Sequence, residues 1–216
     1  GDLLAVGVFS DGKGTSTASL LDKKLGGAVE QVRTLGDFEA KPGTCCLLYN
    51  EGKIPAKRIL LVGLGKWEEF KTDVLRKGAA LAATKAVDLK AKTLLLSLHT
   101  EIWTRAKADL VEAGQVIAEG ACFGAFRYDE YMSEAAKQRP AKIVMTLVDS
   151  DTAVVTKLRR GVERGLITGE AQNFARLIAN RPANVINPPS LAAEARKMAR
   201  NIEGLRCTVL DEKQLK

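Results

Sequence analysis

Short, continuously apolar runs alternate with longer stretches of helical spacing over the first 150 positions of the chain. Leu3 to Phe9 is the first apolar run and predicts a strand. A turn at Ser10-Asp11-Gly12-Lys13-Gly14 follows, then a helical stretch from Ser16 to Leu25 that Gly26-Gly27 closes. Thr44 to Tyr49 and Lys57 to Leu64 predict two more strands, with Asn50, Glu51 and Gly52 as turn residues between them. Ile59-Leu60-Leu61-Val62 is apolar at every position, as a strand covered on both faces should be. Thr72 to Leu89 carries Val74, Leu75, Leu81, Ala82 and Leu89 at helical spacing. Thr93 to Leu98 predicts a buried strand, and Thr104 to Phe126 a helix with Leu110, Val111, Val116 and Ile117 on its apolar side. After the break at Pro140, Lys142 to Val148 is a further apolar strand. Strands alternating with helices of this length predict an α/β layered domain over residues 1–150.

The rhythm then changes. Asp151 to Asn180 reads as one long helical stretch, with Val155, Leu158, Val162, Leu166, Phe174 and Leu177 as its apolar positions. Gly161, Gly165 and Gly169 recur every fourth residue on one side of it, each costing about 1 kcal/mol against alanine. Two readings stand: close approach of a neighbouring helix, or a break into two helices. The charges of Arg159, Arg160, Glu163 and Arg164 exclude a membrane dimerisation motif. Pro182, Pro188 and Pro189 predict an extended connection, and Ser190 an N-cap for a helix running to about Asn201. Leu205 to Leu210 reads as a fresh strand, and Asp211 to Lys216 as the first turn of a helix. One strand without a partner is an incomplete domain, because its backbone groups need pairing.

Composition narrows the function classes. No apolar run approaches the roughly 18 residues of a membrane span. No signal peptide is visible, although a chain that starts at Gly1 leaves room for a removed targeting segment. Cys45, Cys46, Cys122 and Cys207 form no CxxC pair, and the neighbours Cys45 and Cys46 point to opposite faces of a strand; free thiols in a reducing, cytoplasmic setting follow. The net charge of +7 is unevenly placed. Residues 1–151 hold 21 Lys+Arg against 20 Asp+Glu, whereas residues 152–216 hold 12 against 6. The basic excess therefore belongs to the last third, and the near-neutral first domain lacks the basic face of a polyanion binder.

Candidate chemistry is sparse. Gly7-Val8-Phe9-Ser10-Asp11-Gly12-Lys13 fits the first seven positions of a phosphate-binding P-loop, but the eighth, Gly14, replaces the required Ser or Thr, and Thr15 comes one position late. Val62-Gly63-Leu64-Gly65 opens like a dinucleotide fingerprint whose third glycine would fall on Glu68. His99, the sole histidine, closes an apolar strand with no partner visible in sequence, and reads as an ordinary strand-end residue. A Cys/His zinc site lacks ligands. Carboxylates sit beside Lys or Arg, as in Asp22-Lys23-Lys24 and Glu134 to Lys137, the pattern of solvated faces. These residues assign no catalytic, cofactor-binding or metal-ligating role.

Whole phrases of the chain nevertheless carry a resemblance. Leu4 to Phe9, Leu20 to Gly27, Gly36-Asp37-Phe38, Lys57 to Gly65 and Gly124 to Asp129 occur in the order of the opening domain of leucyl aminopeptidases of the M17 metallopeptidase family. Asn173-Phe174-Ala175-Arg176-Leu177, Asn180, Pro182 to Val185, Pro188, Leu191-Ala192 and Val209 to Glu212 resemble that family's entry into its catalytic domain. The resemblance implies a macro-like N-terminal domain at residues 1–150, with a mixed sheet covered by helices. It further implies a linking helix region at 151–181 and the first elements of an incomplete α/β peptidase domain at 182–216. It also implies a metallo-aminopeptidase parent that releases N-terminal amino acids, preferably leucine, from peptides. Two divalent metals, zinc or manganese, would activate water there, within a cytoplasmic homohexamer. The family's ligand motifs, of the Phe-Asp-Ser-Gly-Gly and Asn-Thr-Asp-Ala-Glu-Gly-Arg kinds, are absent from these 216 residues. This stretch is therefore expected to bind no metal and to serve folding and oligomer assembly. A DNA-binding module, as in some bacterial relatives, is the alternative, and a steep inverse salt dependence of duplex affinity would mark it. An ADP-ribose-binding macro domain rests on fold analogy alone and lacks a glycine-rich phosphate loop.

Overall fold

The structure, a computed structural model, describes residues 1–12, 16–50, 52–100, 109–133 and 142–215. Lys13 to Thr15, Glu51, positions 104–108 of the expected long helix, the Glu134 to Lys137 charges and Pro140 lie outside the described residues. In chain order the elements are β1 (Leu3–Phe9), α1 (Ser16–Leu25), α2 (Ala28–Thr34), β2 (Cys45–Tyr49), β3 (Arg58–Gly65), a 3-10 turn (Trp67–Glu69), α3 (Asp73–Asp88), β4 (Thr93–Ser97), α4 (Leu110–Ala125), β5 (Val144–Leu147), α5 (Thr152–Asn180) and α6 (Pro188–Asn201).

The strands form one mixed sheet in the order β2-β3-β1-β4-β5. β1 is parallel to β3 and β4, β4 is parallel to β5, and β2 joins β3 antiparallel. Central position explains the unbroken apolar runs of β1 and β3. Side chains alternate across the sheet, so Leu3, Ala5, Phe9, Leu60, Val62 and Leu64 enter one core and Val6, Val8, Ile59 and Leu61 the other. The first face is covered by α3, α4 and the start of α5, and the second by α1 and α2. Cys45 and Cys46 pack against opposite cores, and all four cysteines are free.

Small residues let the helices of the first face close up. α3 buries Leu75, Gly78, Ala79, Ala82, Ala83 and Ala86, an alanine-rich stripe that costs almost no side-chain entropy on burial. A Cβ at Gly120 or Gly124 of α4 would lie 2.0 Å from the carbonyl oxygens of Arg76 and Ala80, so only glycine fits against α3 there. α5 decides between the two readings of its glycines. It is continuous from Thr152 to Asn180, with Gly161, Gly165 and Gly169 buried. A Cβ at Gly161 or Gly165 would lie 2.0 Å and 2.3 Å from the Val111 and Gln115 carbonyl oxygens of α4. Close approach, not a break, accounts for the repeat.

The chain divides into two compact units, Gly1–Asn173 and Phe174–Lys216, with α5 running from one into the other. Within the second unit two local expectations are corrected. The N-cap of α6 is Asn187, not Ser190, and Pro188 and Pro189 occupy its first turn instead of an extended connection. Ser190 is the third helical residue and completes a capping box: its amide donates to Asn187 Oδ1 at 3.2 Å, and its hydroxyl accepts from the Asn187 amide at 2.8 Å. Leu205 to Leu210 forms no strand, since no segment among the described residues pairs with it. Asp211 caps a single hydrogen-bonded turn through Gln214 and Leu215.

Candidate functional site

The sense of winding reverses beside β1. The chain leaves β1 for helices on one face and leaves β3 and β4 for helices on the other. In open α/β sheets the crevice at such a reversal, beyond the C-terminal strand ends, is where ligands bind. The polar groups placed there are Ser10 after β1, Thr17 of α1, His99 and Thr100 after β4, and Asp149 after β5. Thr17 Oγ1 donates to Thr100 Oγ1 at 3.1 Å, and the Ser10 amide donates to the Gly65 carbonyl at 2.9 Å.

His99 is fully buried, and its Nε2 lies 3.0 Å from Asp149 Oδ2. Burial pushes the imidazole below its ordinary pKa, against the opposing pull of the Asp149 hydrogen bond and charge. A neutral ring with Nε2–H donating to the carboxylate leaves Nδ1 as an acceptor. Nδ1 has no hydrogen-bond partner among the described residues. The strand-end histidine of the sequence thus has a partner, 50 residues away. A His–Asp pair is two members of a nucleophile-activating triad. The third, a hydroxyl or thiol on the free ring nitrogen, is absent among the described residues.

The other sequence candidates have packing roles. Gly7 sits inside β1, where a Cβ would meet Leu64 and the Leu98 carbonyl. Phe9 of the same stretch is buried in edge-to-face contact with Trp67 and Phe70, with ring centroids 4.9 Å and 5.6 Å away. Gly63 and Gly65 belong to β3; the first clears the Lys41 carbonyl and the second, at φ 78°, packs on Pro42. Asp22, taken as part of a solvated face, accepts from the Val29 and Glu30 amides at 2.8 Å and 3.2 Å and so caps α2. Burial raises the thiols of Cys45, Cys46 and Cys122 above their ordinary pKa, which disfavours the nucleophilic thiolate.

Two further features surround α4. Glu119 accepts from Arg76 Nε and Nη2 at 3.0 Å and 2.8 Å, from Gln115 Nε2 at 2.9 Å and from Thr168 Oγ1 at 2.7 Å, joining α3, α4 and α5. A cavity of about 410 Å³ between α4, β5 and α5 is lined by apolar side chains including Ala118, Phe126, Met145, Val162 and Leu166, with Cys122 and Asn173 at its wall. The Asn173 amide is committed to the Cys122 carbonyl at 2.9 Å. Among the described residues no three His, Cys, Asp or Glu side chains gather to hold a metal ion, so they do not fit a dinuclear metal centre. Among the described residues no helix is long and apolar enough to cross a membrane.

Comparison with known proteins supplies what the side chains alone do not. The family model described as cytosol aminopeptidase family, N-terminal domain, matches residues 5–135. Probable cytosol aminopeptidases from Syntrophotalea carbinolica and Thermosynechococcus vestitus are 31% and 34% identical over 99% and 98% of this chain, which covers 42% and 41% of theirs. A similar protein from Alkaliphilus metalliredigens is 27% identical over 99% of the chain. Among solved structures, a tomato leucine aminopeptidase mutant superposes with a TM-score of 0.82 over the whole chain and 42% of its own, at 24% identity, and so supports the fold. The bottromycin maturation enzyme BotP superposes at 0.70 with 27% identity, over 99% of this chain and 40% of its own. BotP in complex with Mn superposes at 0.65, over 93% and 36%. The chain spans about two fifths of the length of the curated relatives it matches.

Proposed function

The chain belongs to the cytosol aminopeptidase family, whose N-terminal domain it carries, and from that membership we propose that it is the non-catalytic leading part of a metal-dependent aminopeptidase. The whole protein would release N-terminal residues, leucine foremost, from peptides, using two divalent ions to lower the pKa of a water and polarise the scissile carbonyl. Manganese is favoured by the Mn complex of BotP. The donor set would lie in the part of the relatives that this chain does not cover. The observation that carries this reading is the family match over residues 5–135, which is a match to the family's N-terminal domain.

The role of this stretch is then folding and assembly. On this reading residues 1–150 form the macro-like domain, 151–181 the linking helix region, and 182–216 the start of the peptidase domain. The second unit supports it: α6 has no buried residue, and Leu191, Met198 and Ile202 on it are exposed. An amphipathic helix whose apolar side is left largely exposed is built to be covered. The whole protein would act in the cytoplasm as a homo-oligomer, with a hexamer as the expected state. The deciding measurement is hydrolysis of leucine p-nitroanilide by the purified 216-residue chain with added manganese or zinc. No turnover is expected, and a metal-dependent rate abolished by chelator would overturn the assignment.

A further inference from the structure

We propose that His99 and Asp149 form a pH-sensitive latch, independent of the peptidase reading, that fastens β5 and the N-terminus of α5 to the sheet at neutral pH and releases them in acid. The latch is a continuous run of hydrogen bonds. His99, just past β4, meets Asp149 Oδ2 at 3.0 Å. Asp149 Oδ1 accepts from the Asp151 amide at 2.8 Å, and Asp151 Oδ1 accepts from the Ala153 amide at 2.8 Å. The Asp151 carbonyl accepts from the Val155 amide at 3.0 Å, beginning the α5 ladder. Beside this run the Val148 amide donates to the Leu96 carbonyl at 3.0 Å, the last bond between β4 and the chain leaving β5. One turn further on, α5 inserts Val154 and Leu158 into the core. A side-chain pair at the strand ends thus fixes where a 29-residue helix starts.

Acid acts on the weak point of this arrangement. His99 Nδ1 is buried without an acceptor among the described residues, so the imidazolium would hold an unsatisfied N–H in the core. Asp149 is the charged side chain acting on His99; on the flanking elements Ser97, Thr100 and, from α1, Thr17 are neutral. Burial outweighs the attraction of Asp149 and holds the folded pKa below the ordinary histidine value of about 6.5. The opened segment takes up a proton that the closed one refuses. The stabilisation is therefore complete above about pH 6.5 and falls as the pH drops toward the folded pKa.

His99 is the chain's one histidine, so its NMR signals are unambiguous. The experiment follows its imidazole nitrogens and carbons, with the hydrogen-exchange protection of Val148 and Val155, in the full chain from pH 8 to 5. Expected are the Nε2–H tautomer, a midpoint below 6.5, and a protection loss of about tenfold per pH unit between 6.5 and that midpoint. His99→Gln, which keeps a donor toward Asp149, should make protection independent of pH, and Asp149→Asn should lower the midpoint further. An Nδ1–H tautomer, a midpoint at or above 6.5, or unchanged protection while His99 protonates would each overturn the latch. Should either variant fail to fold, the wild-type titration decides alone.

Discussion

Substituting Gly161 sets two effects of known size against each other. In isolation Gly→Ala within a helix gains about 1 kcal/mol. In this fold the added Cβ would lie 2.0 Å from the Val111 carbonyl oxygen and 2.8 Å from the Gln115 amide nitrogen. Ordinary contact begins near 3.4 Å, so α5 would have to move from α4 by about 1.4 Å. Both atoms are helix backbone and cannot rotate aside. Overpacking of this kind costs about 1–3 kcal/mol, and the displacement would also loosen Val154 and Leu158, whose burial contributes about 1.5–3 kcal/mol each. Overpacking less the propensity gain leaves about 0–2 kcal/mol, and the loosened core side chains add to it, so Gly161→Ala should destabilise by about 1–2 kcal/mol net.

The three glycines should grade. Gly165 faces the Gln115 carbonyl oxygen at 2.3 Å and should behave like Gly161. Gly169 faces Cys122, with Sγ at 3.0 Å, which can rotate aside, and Cβ at 2.7 Å, which is fixed to the backbone but calls for a smaller displacement than the contacts at the other two. Gly169→Ala should thus cost less than Gly161→Ala. Ala171→Gly, at an exposed position of the same helix, is the control and should cost about 1 kcal/mol through propensity alone. Urea unfolding followed by circular dichroism and tryptophan fluorescence reads all four. A Gly161→Ala chain more stable than wild type by the propensity amount would refute the close-packing argument.

Asn187→Ala should remove the Oδ1 half of the α6 capping box, leaving the residue 187 amide to donate to Ser190 Oγ, and cost that helix about 1 kcal/mol, seen as faster proteolysis between residues 187 and 201 with the first unit's unfolding unchanged. Asp2, whose carboxylate accepts from Lys57 Nζ and from the Lys92 and Thr93 amides, has its pKa lowered from 3.8 to about 2. Its stabilisation is present above 3.8 and lost as the pH falls toward 2, so Asp2→Asn should flatten the pH dependence of the melting temperature across that window. The exposed apolar side of α6 should make the isolated chain self-associate, and light scattering should show the association weakened by Leu191→Ser together with Ile202→Ser.

The central elements are the plainest in the sequence, and the edge strands β2 and β5 are legible as well from their apolar runs. β1, β3 and β4 read as strands because parallel central strands are apolar on both faces, and α3 because its alanine stripe repeats for four turns. α2 was invisible for the opposite reason. It is seven residues long, buries Val29 alone, and follows Gly26 and Gly27, whose positive φ angles turn the chain without ending the helical region. Leu205 to Leu210 has the pattern of a strand and is not one, because periodicity records that a segment has an apolar face and says nothing of whether a partner is there to pair with it. The α6 cap shows a finer limit. Ser190 and Asn187 are both good capping residues, and only the reciprocal bonds between them reveal which caps and which occupies the third position.

His99 and Asp149 show where chemistry escapes sequence reading altogether. Neither residue lies in a motif, and 50 positions separate them. They meet because β4 and β5 are parallel neighbours in a fixed register, Leu96 opposite Leu147, so that residues just past both strands emerge at the same edge. That register is set by burying Leu94 and Leu96 on one side and Met145 and Leu147 against the same core, a packing requirement that has nothing to do with proton transfer. A slip of β5 by one residue would turn Met145 and Leu147 to the opposite face, so core packing and the meeting of His99 with Asp149 stand or fall together. The polar pair is thus a consequence of the apolar pattern. It becomes readable only once the strand order is known, because the same two apolar runs placed at opposite edges of the sheet would leave the histidine without its carboxylate.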